Sequence, residues 1–233
     1  MFYLAIIPGA LAVIMILSVK EKRVTVPSKS KIDLNIKQFP SSYWKYIFVT
    51  LLFGIGNSSN AFLILQTKSL GVSFKNTILI YAAFNLIAAL ISYPSGNLSD
   101  KFGRKNILLL AFVIFLCSYA GFAFTKNISL IAGLFCLYGV YQGIFRSVGK
   151  AMAADLVPLQ VRASGIGWYS TAVGLSGLVA SIVAGQLWDK AGHPSVFIYG
   201  VASALAGILA LLFLIPGSNT LKKQSPDIHN IKN

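Results

Sequence analysis

Seven stretches of this 233-residue chain run for 18 residues or more without Asp, Glu, Lys or Arg: 2–19, 46–67, 76–99, 106–125, 127–145, 163–188 and 191–221. Together they hold 160 residues. A helix crosses a bilayer with roughly 20 mostly apolar residues, and a helix of a water-soluble fold carries a charged face that these runs lack. Only 11% of the chain is charged, against about 25% in a soluble domain. A soluble enzyme, a nucleic-acid binder and a disulfide scaffold are thereby excluded. The runs are also continuous, where the strands of a membrane barrel alternate apolar and polar residues. Helices satisfy their own backbone hydrogen bonds in lipid, so the expected fold is an all-α integral membrane protein with seven transmembrane helices. The two cysteines, Cys117 and Cys136, lie inside apolar runs and read as small buried hydrophobes.

The opening run has no basic residue ahead of it and no small-x-small cleavage pattern behind it, so it reads as a span rather than a signal peptide. It stops at Lys20-Glu21-Lys22-Arg23. The expected organisation is a transmembrane helix over 1–19, a basic cytoplasmic linker over 20–45, a six-helix bundle over 46–215 and a cytoplasmic tail over 216–233. With 20–45 inside and the spans alternating, 15 Lys and Arg fall inside and 4 outside, and Arg146 falls within a span. Cytoplasmic loops collect Lys and Arg, which selects this orientation and a cytoplasmic C-terminus in the plasma or inner membrane. The net charge of +14 is then met by anionic lipid, with no nucleic acid required. An outside N-terminus with no charge before the first span implies that further sequence precedes it.

Two segments repeat. Gly96-Asn97-Leu98-Ser99-Asp100-Lys101-Phe102-Gly103 and Gly185-Gln186-Leu187-Trp188-Asp189-Lys190-Ala191-Gly192 share Gly-x-Leu-x-Asp-Lys-x-Gly at a separation of 89 residues. Three spans fill that period, so the second copy lies on the opposite membrane face. Three-helix units of inverted sense are a signature of secondary transporters.

The first of these segments, extended through Arg104 and Lys105, resembles the cytoplasmic signature loop of the major facilitator superfamily, G-x-x-x-D-K/R-x-G-R-K/R. Asp155-Leu156-Val157-Pro158-Leu159-Gln160-Val161-Arg162-Ala163 resembles that family's D-x-x-P-x-x-x-R-G/A, which follows its tenth helix. The resemblance implies that 2–19 corresponds to helix six and the last six spans to the C-terminal half, an inverted three-plus-three bundle. A full member has about twelve spans, so a second six-helix half or a homodimer is the expected partner. The implied function is secondary transport of a small molecule by alternating access, by a partial or truncated transporter. The alternatives are a non-transporting remnant and a seven-span receptor.

The candidate residues fall into two groups. In the signature loop, Gly96 and Gly103 permit unusual dihedrals and close approach. Asp100 is expected to face Arg162 or the helix start beyond it, and Arg104 to face Asp155, with Lys101 and Lys105 at the cytoplasmic surface. Such pairs would latch one conformation, and the resemblance implies the same gate. The alternative is a topology signal that only anchors the loop. In the spans, Asn57 and Asn60 share a face near the midpoint of 46–67, and Tyr81 and Asn85 lie one turn apart in 76–99. Each pair reads either as cavity lining or as interhelical hydrogen bonding. Tyr138, Gln142, Arg146 and Lys150 form a four-residue stripe, beside a small-residue face of Gly139, Gly143, Ser147 and Ala151 suited to close packing. Arg146 reads as a cavity cation for an anionic or carbonyl-bearing substrate, or as a side chain snorkelling to headgroups. Gly167, Gly174, Gly177 and Gly185, with Ser170 and Ser181, read as a helix-packing face. No span interior holds Asp or Glu, and no metal cluster, cofactor motif or catalytic constellation is found, so an enzyme is not expected.

Overall fold

The structure is a computed structural model that describes residues 38–216 together with residues 10, 13–15, 17 and 18. The expected tail beyond 216 and the linker up to residue 37 lie outside the described residues. The described part of the first run is helical and belongs to a compact unit of its own, Met1–Asp33, separate from the unit Leu34–Asn233.

The second unit contains α1 (Ser41–Gly54), α2 (Ala61–Ser69), α3 (Phe74–Phe102), α4 (Arg104–Phe124), α5 (Ile128–Asp155), α6 (Arg162–Ala191) and α7 (His193–Leu214). Among the described residues there is no strand, and α3 to α7 are the five helices long and apolar enough to cross a membrane. The run 46–67 departs from expectation. It is not one continuous span but two helices, α1 and α2, separated by non-helical backbone over 55–60. Two glycines and a run of Asn and Ser account for the break, since these residues offer the backbone alternatives to the helical ladder. The first helix also starts at Ser41, five residues ahead of the uncharged run.

Local signals place the remaining ends. Asn127 Oδ1 accepts from the amide of Ser129 at 2.9 Å and caps α5, and Ser73 Oγ accepts from the amide of Asn76 at 3.4 Å and caps α3. Gly103 turns α3 into α4 at φ 88° and Gly192 turns α6 into α7 at φ 80°, a conformation that favours glycine. Both glycines close the repeated octapeptide.

Helix α5 packs against α3, α4 and α6, while α7 packs against α4, α1 and α6. Aromatic rings fill the interior. Phe53 stacks on Phe112 at 3.9 Å and Phe115 on Tyr119 at 4.0 Å, with Tyr138 and Tyr141 5.2 Å apart beside them. The small-residue face of α5 meets α3 closely: a Cβ at Gly139 would lie 2.8 Å from the Phe84 carbonyl oxygen, and one at Gly143 only 2.5 Å from that of Ala88. One turn on, the hydroxyls of Ser95 and Ser147 are 2.8 Å apart. The glycine face of α6 behaves otherwise. Gly167, Gly174, Gly177 and Gly185 have open space where a Cβ would stand, so no described helix packs on them. Gly96 is likewise open and lies within α3. Cys117 and Cys136 are exposed on the bundle surface rather than buried. An apolar run in lipid needs no protein cover, so apolarity alone did not fix which side faced inward.

Gly143→Val is expected to destabilise the bundle by about 1–3 kcal/mol, because the backbone of α3 blocks the added carbons. Gly167→Ala, in open space, is expected to leave it unchanged within about 0.5 kcal/mol or slightly stabilised. Thermal unfolding of the two variants in detergent makes the comparison.

Candidate functional site

The break between α1 and α2 lies inside the bundle. Asn57 Nδ2 donates to the Tyr141 hydroxyl at 2.9 Å, and the Tyr138 hydroxyl lies 3.0 Å from Asn60 Oδ1 and 3.3 Å from Asn57 Oδ1. Ser58 Oγ and the Tyr119 hydroxyl are 3.4 Å apart, and the Ser59 amide donates to Ser181 Oγ at 3.2 Å. Three helices therefore supply the partners that the unwound segment needs: α4 through Tyr119, α5 through Tyr138 and Tyr141, and α6 through Ser181. The backbone of the break is also pressed close to α7, since a Cβ at Gly56 would collide with Ser203. All three tyrosines are essentially buried, whereas Asn57 and Asn60 are half-buried. The amides thus stand at the edge of a phenolic interior. Phenols and amides can donate to and accept from a polar solute without carrying charge.

A second cluster ties several helix ends together. Arg104, the first residue of α4, forms an ion pair with Asp155 at the end of α5. It forms another with Asp100 one turn back, at 3.0 Å, and donates to Ser99 Oγ at 3.0 Å. Lys105 Nζ donates to the carbonyls of Leu212, at 3.1 Å, and Ile215 at the end of α7. Arg162 Nε donates to the Ala154 carbonyl at 3.2 Å, across the turn that contains Pro158. The ends of α3, α5 and α7 and the starts of α4 and α6 therefore meet on one side of the bundle. The expected partner of Asp100 is corrected: it pairs with Arg104, not Arg162, which binds a backbone carbonyl instead. Lys101 is exposed. Capping of α7 by Lys105 had no sequence signal, because its acceptors are carbonyls 107 and 110 residues away.

Comparison with known proteins decides the family. Residues 46–231 match the model of the Major Facilitator Superfamily. The chain is 34% identical over 217 residues to an uncharacterized MFS-type transporter of Methanocaldococcus jannaschii, covering 91% of this chain and 54% of that protein. It is 31% identical over 182 residues to a multi-drug resistance efflux pump PmrA homolog of Lactococcus lactis, covering 73% of this chain and 45% of the relative. A multi-drug resistance efflux pump PmrA of Streptococcus pneumoniae is 34% identical over 128 residues, 54% of this chain and 32% of that one. The chain belongs to the major facilitator superfamily. It is a multi-pass membrane protein of a transporter family, which sets aside the receptor alternative. This facilitator chain spans about half the length of the curated relatives it matches most fully.

The remaining candidates of the facilitator chain are dispersed. Tyr81 reaches the break only indirectly, its ring 5.4 Å from Phe84, which in turn stacks 5.5 Å from Tyr138. Asn85 is exposed and its Nδ2 folds back onto the Tyr81 carbonyl at 2.8 Å. The stripe on α5 divides: Tyr138 and Gln142 are buried, Arg146 and Lys150 exposed. Arg146 has no hydrogen bond or ion pair among the described residues, and stands on the arc between Gly139, packed on α3, and the buried Gln142. The clustering of Tyr119 with the break was missed, because a tyrosine in an apolar run gives no sign of its partner.

Asp155→Asn is expected to change global stability by less than about 1 kcal/mol, since the Asp155 side chain is half-exposed and Arg104 keeps Asp100 as a partner. Lys105→Met is expected to loosen the last turn of α7, seen as faster amide hydrogen exchange over residues 208–214 with unchanged exchange in α5.

Proposed function

We propose that this chain is one six-helix half, with a lone helix over 1–19 ahead of it, of an alternating-access carrier that moves a small molecule across the cell membrane. The observation that carries the reading is the break at 55–60, whose Asn57 and Asn60 are held by Tyr138 and Tyr141 in the middle of the bundle. Carriers place their sites near the bilayer midplane, at discontinuous helices. The substrate would bind against these amides and phenols, with Gln142 and Tyr81 at the margin and the exposed Arg146, two turns along α5 from Tyr138, as its cation. Asn85 is an outlying candidate. Asp100, Arg104 and Asp155 would latch the cytoplasmic end, with Gly96, Lys101, Gly103, Lys105 and Arg162 completing the loop.

Paired features support the three-plus-three repeat. A Cβ at Gly54 would meet Ser176, and one at Gly143 would meet Ala88. The first residues are 89 apart and the second 88, so α1 with α6 mirrors α5 with α3. Gly103 and Gly192 share the same left-handed turn. Covering the exposed faces of α3 and α6 would require a second six-helix half or a second copy of this chain. Relatives named as multi-drug resistance efflux pumps favour a small organic solute.

Cysteine variants at Lys101 and Lys190, in a background without Cys117 and Cys136, are expected to react with an impermeant maleimide from opposite sides of the membrane, Lys101 from the cytoplasm. Reaction of both from one side would falsify the repeat. Efflux of a fluorescent organic dye such as ethidium from proteoliposomes tests the site. Tyr138→Phe and Asn57→Leu are each expected to slow it at least about tenfold, the loss of about 1.4 kcal/mol of binding. Efflux by the unaltered chain that both substitutions leave intact would remove the break as the binding place.

A further inference from the structure

We propose that the surface groove between α4 and α5 binds one anionic phospholipid, with its phosphate at Lys126 and one hydrocarbon chain laid along the groove. The proposal goes beyond the carrier reading and needs only that the chain is a multi-pass membrane protein. The groove has a volume of about 420 Å³, the size of a small ligand pocket. Its floor is formed where a Cβ at Gly121 would collide with Leu134, so that leucine lies directly on the backbone of α4. Gly133 leaves a notch beside it, since a Cβ there would meet nothing within 4 Å. Leu130 and Leu137 complete the apolar wall, and no charged residue lines the groove.

The groove is polar at one end and apolar over the depth of one leaflet. Thr125 and Ser129 supply its hydroxyls, at the turn between Phe124, the last residue of α4, and Ile128, the first of α5. From Asn127 to Leu137 the helix rises roughly 15 Å at about 1.5 Å per residue, half of a hydrocarbon core of about 30 Å. The turn is held in place. Thr125 Oγ1 accepts from the Asn127 amide at 3.3 Å, and Asn127 Oδ1 accepts from the amides of Ser129 and Leu130 at 2.9 and 3.4 Å. The Thr125 hydroxyl keeps its hydrogen for another acceptor, and the Ser129 side chain is exposed. Lys126 in the same turn is exposed and has no ion pair among the described residues. Neither flanking run, 106–125 or 127–145, holds a charge. An ammonium and two hydroxyls at the membrane surface, with no acid beside them in the sequence, complement a phosphate that carries net negative charge.

The groove faces the bilayer rather than the side that a second half would cover. On α5, a Cβ at Gly143 would press on the Ala88 carbonyl of α3, and one at Gly149 would collide with the Tyr169 hydroxyl of α6. Arg146 is three residues from each and exposed, so it marks the side between α3 and α6. Leu137 is nine residues from Arg146, two and a half turns, and therefore lies on the opposite side of the helix. A hydrocarbon chain gains little by leaving lipid for an apolar wall, so preference for one lipid comes from its headgroup and from the fit of the chain into the Gly133 notch.

Native mass spectrometry of the full chain in detergent, supplied with equal amounts of phosphatidylglycerol and phosphatidylcholine, tests the site. One phosphatidylglycerol is expected to stay on each chain, preferred over phosphatidylcholine by roughly fivefold, the effect of one lysine at a charged surface. Lys126→Gln is expected to abolish that preference. Gly133→Leu fills the notch without a clash at its Cβ, and is expected to lower lipid retention about tenfold while thermal unfolding stays unchanged. Gly167→Leu, at an equally unobstructed glycine on α6, is expected to retain the lipid as the unaltered chain does. No retained lipid, equal retention of the two headgroups, retention that survives Gly133→Leu, or a lipid-free dimer that Gly133→Leu separates overturns the proposal. None of these readouts needs transport, so the carrier reading stands or falls separately, on dye efflux and on labelling at Lys101 and Lys190.

Discussion

Lipid offers no hydrogen bonds, and the rest of this structure follows from that. A backbone group without an internal partner is penalised by several kcal/mol in hydrocarbon, so a membrane segment is helical or is wrapped by something that answers its polar groups. The chain departs from helix at 55–60 only where three other helices bring hydroxyls to it. Tyr119, Tyr138, Tyr141 and Ser181 serve the break, and further aromatic rings stack behind the tyrosines. The interruption and the tyrosine core are one feature: unwound backbone and amides would be intolerable without phenols, and phenols buried so deeply would lack partners without the amides. Such backbone is tolerated at membrane depth where it is enclosed by protein or lines a cavity.

The same solvent explains what the sequence made legible and what it hid. Spans were readable because lipid forbids charge over long runs, and the packing of Gly139, Gly143 and Ser147 on α3 was readable because close approach needs small residues. The face that a helix turns to its neighbours was much harder to see. In water, burial and apolarity coincide; in a bilayer they do not, so Cys117 and Cys136 looked interior and lie on the surface. Gly167, Gly174 and Gly177 looked like a packing face and meet nothing described. The break could be suspected from Asn57 and Asn60 beside two glycines, yet its effect on the helix could not, since propensity is overridden by context. Asp155 was visible as the partner of Arg104 because two motifs each contributed one charge. Lys105 was not, because its acceptors are backbone atoms that no side-chain pattern marks.

The two segments that share Gly-x-Leu-x-Asp-Lys-x-Gly differ in the chemistry around them. At one, Arg104 gathers two carboxylates and a serine, and Lys105 caps a distant helix. At the other, His193 follows the segment as Arg104 follows the first, and its Nδ1 is buried with no hydrogen-bond partner among the described residues.

The tyrosine contacts that tie the start of α1 to α6 and α5 have a consequence of their own. Tyr43 donates to the Gly165 carbonyl at 2.7 Å, and Tyr46 to the Gly149 carbonyl at 3.0 Å. Each of these oxygens has two lone pairs, so a helix can lend one to a neighbouring phenol while the other continues to serve its own spiral. Such ties can be gained or lost by a single oxygen atom, the difference between tyrosine and phenylalanine, without unwinding either partner. Drift in the strength with which neighbouring rods grip one another is therefore open to this protein in small steps, each leaving the architecture intact.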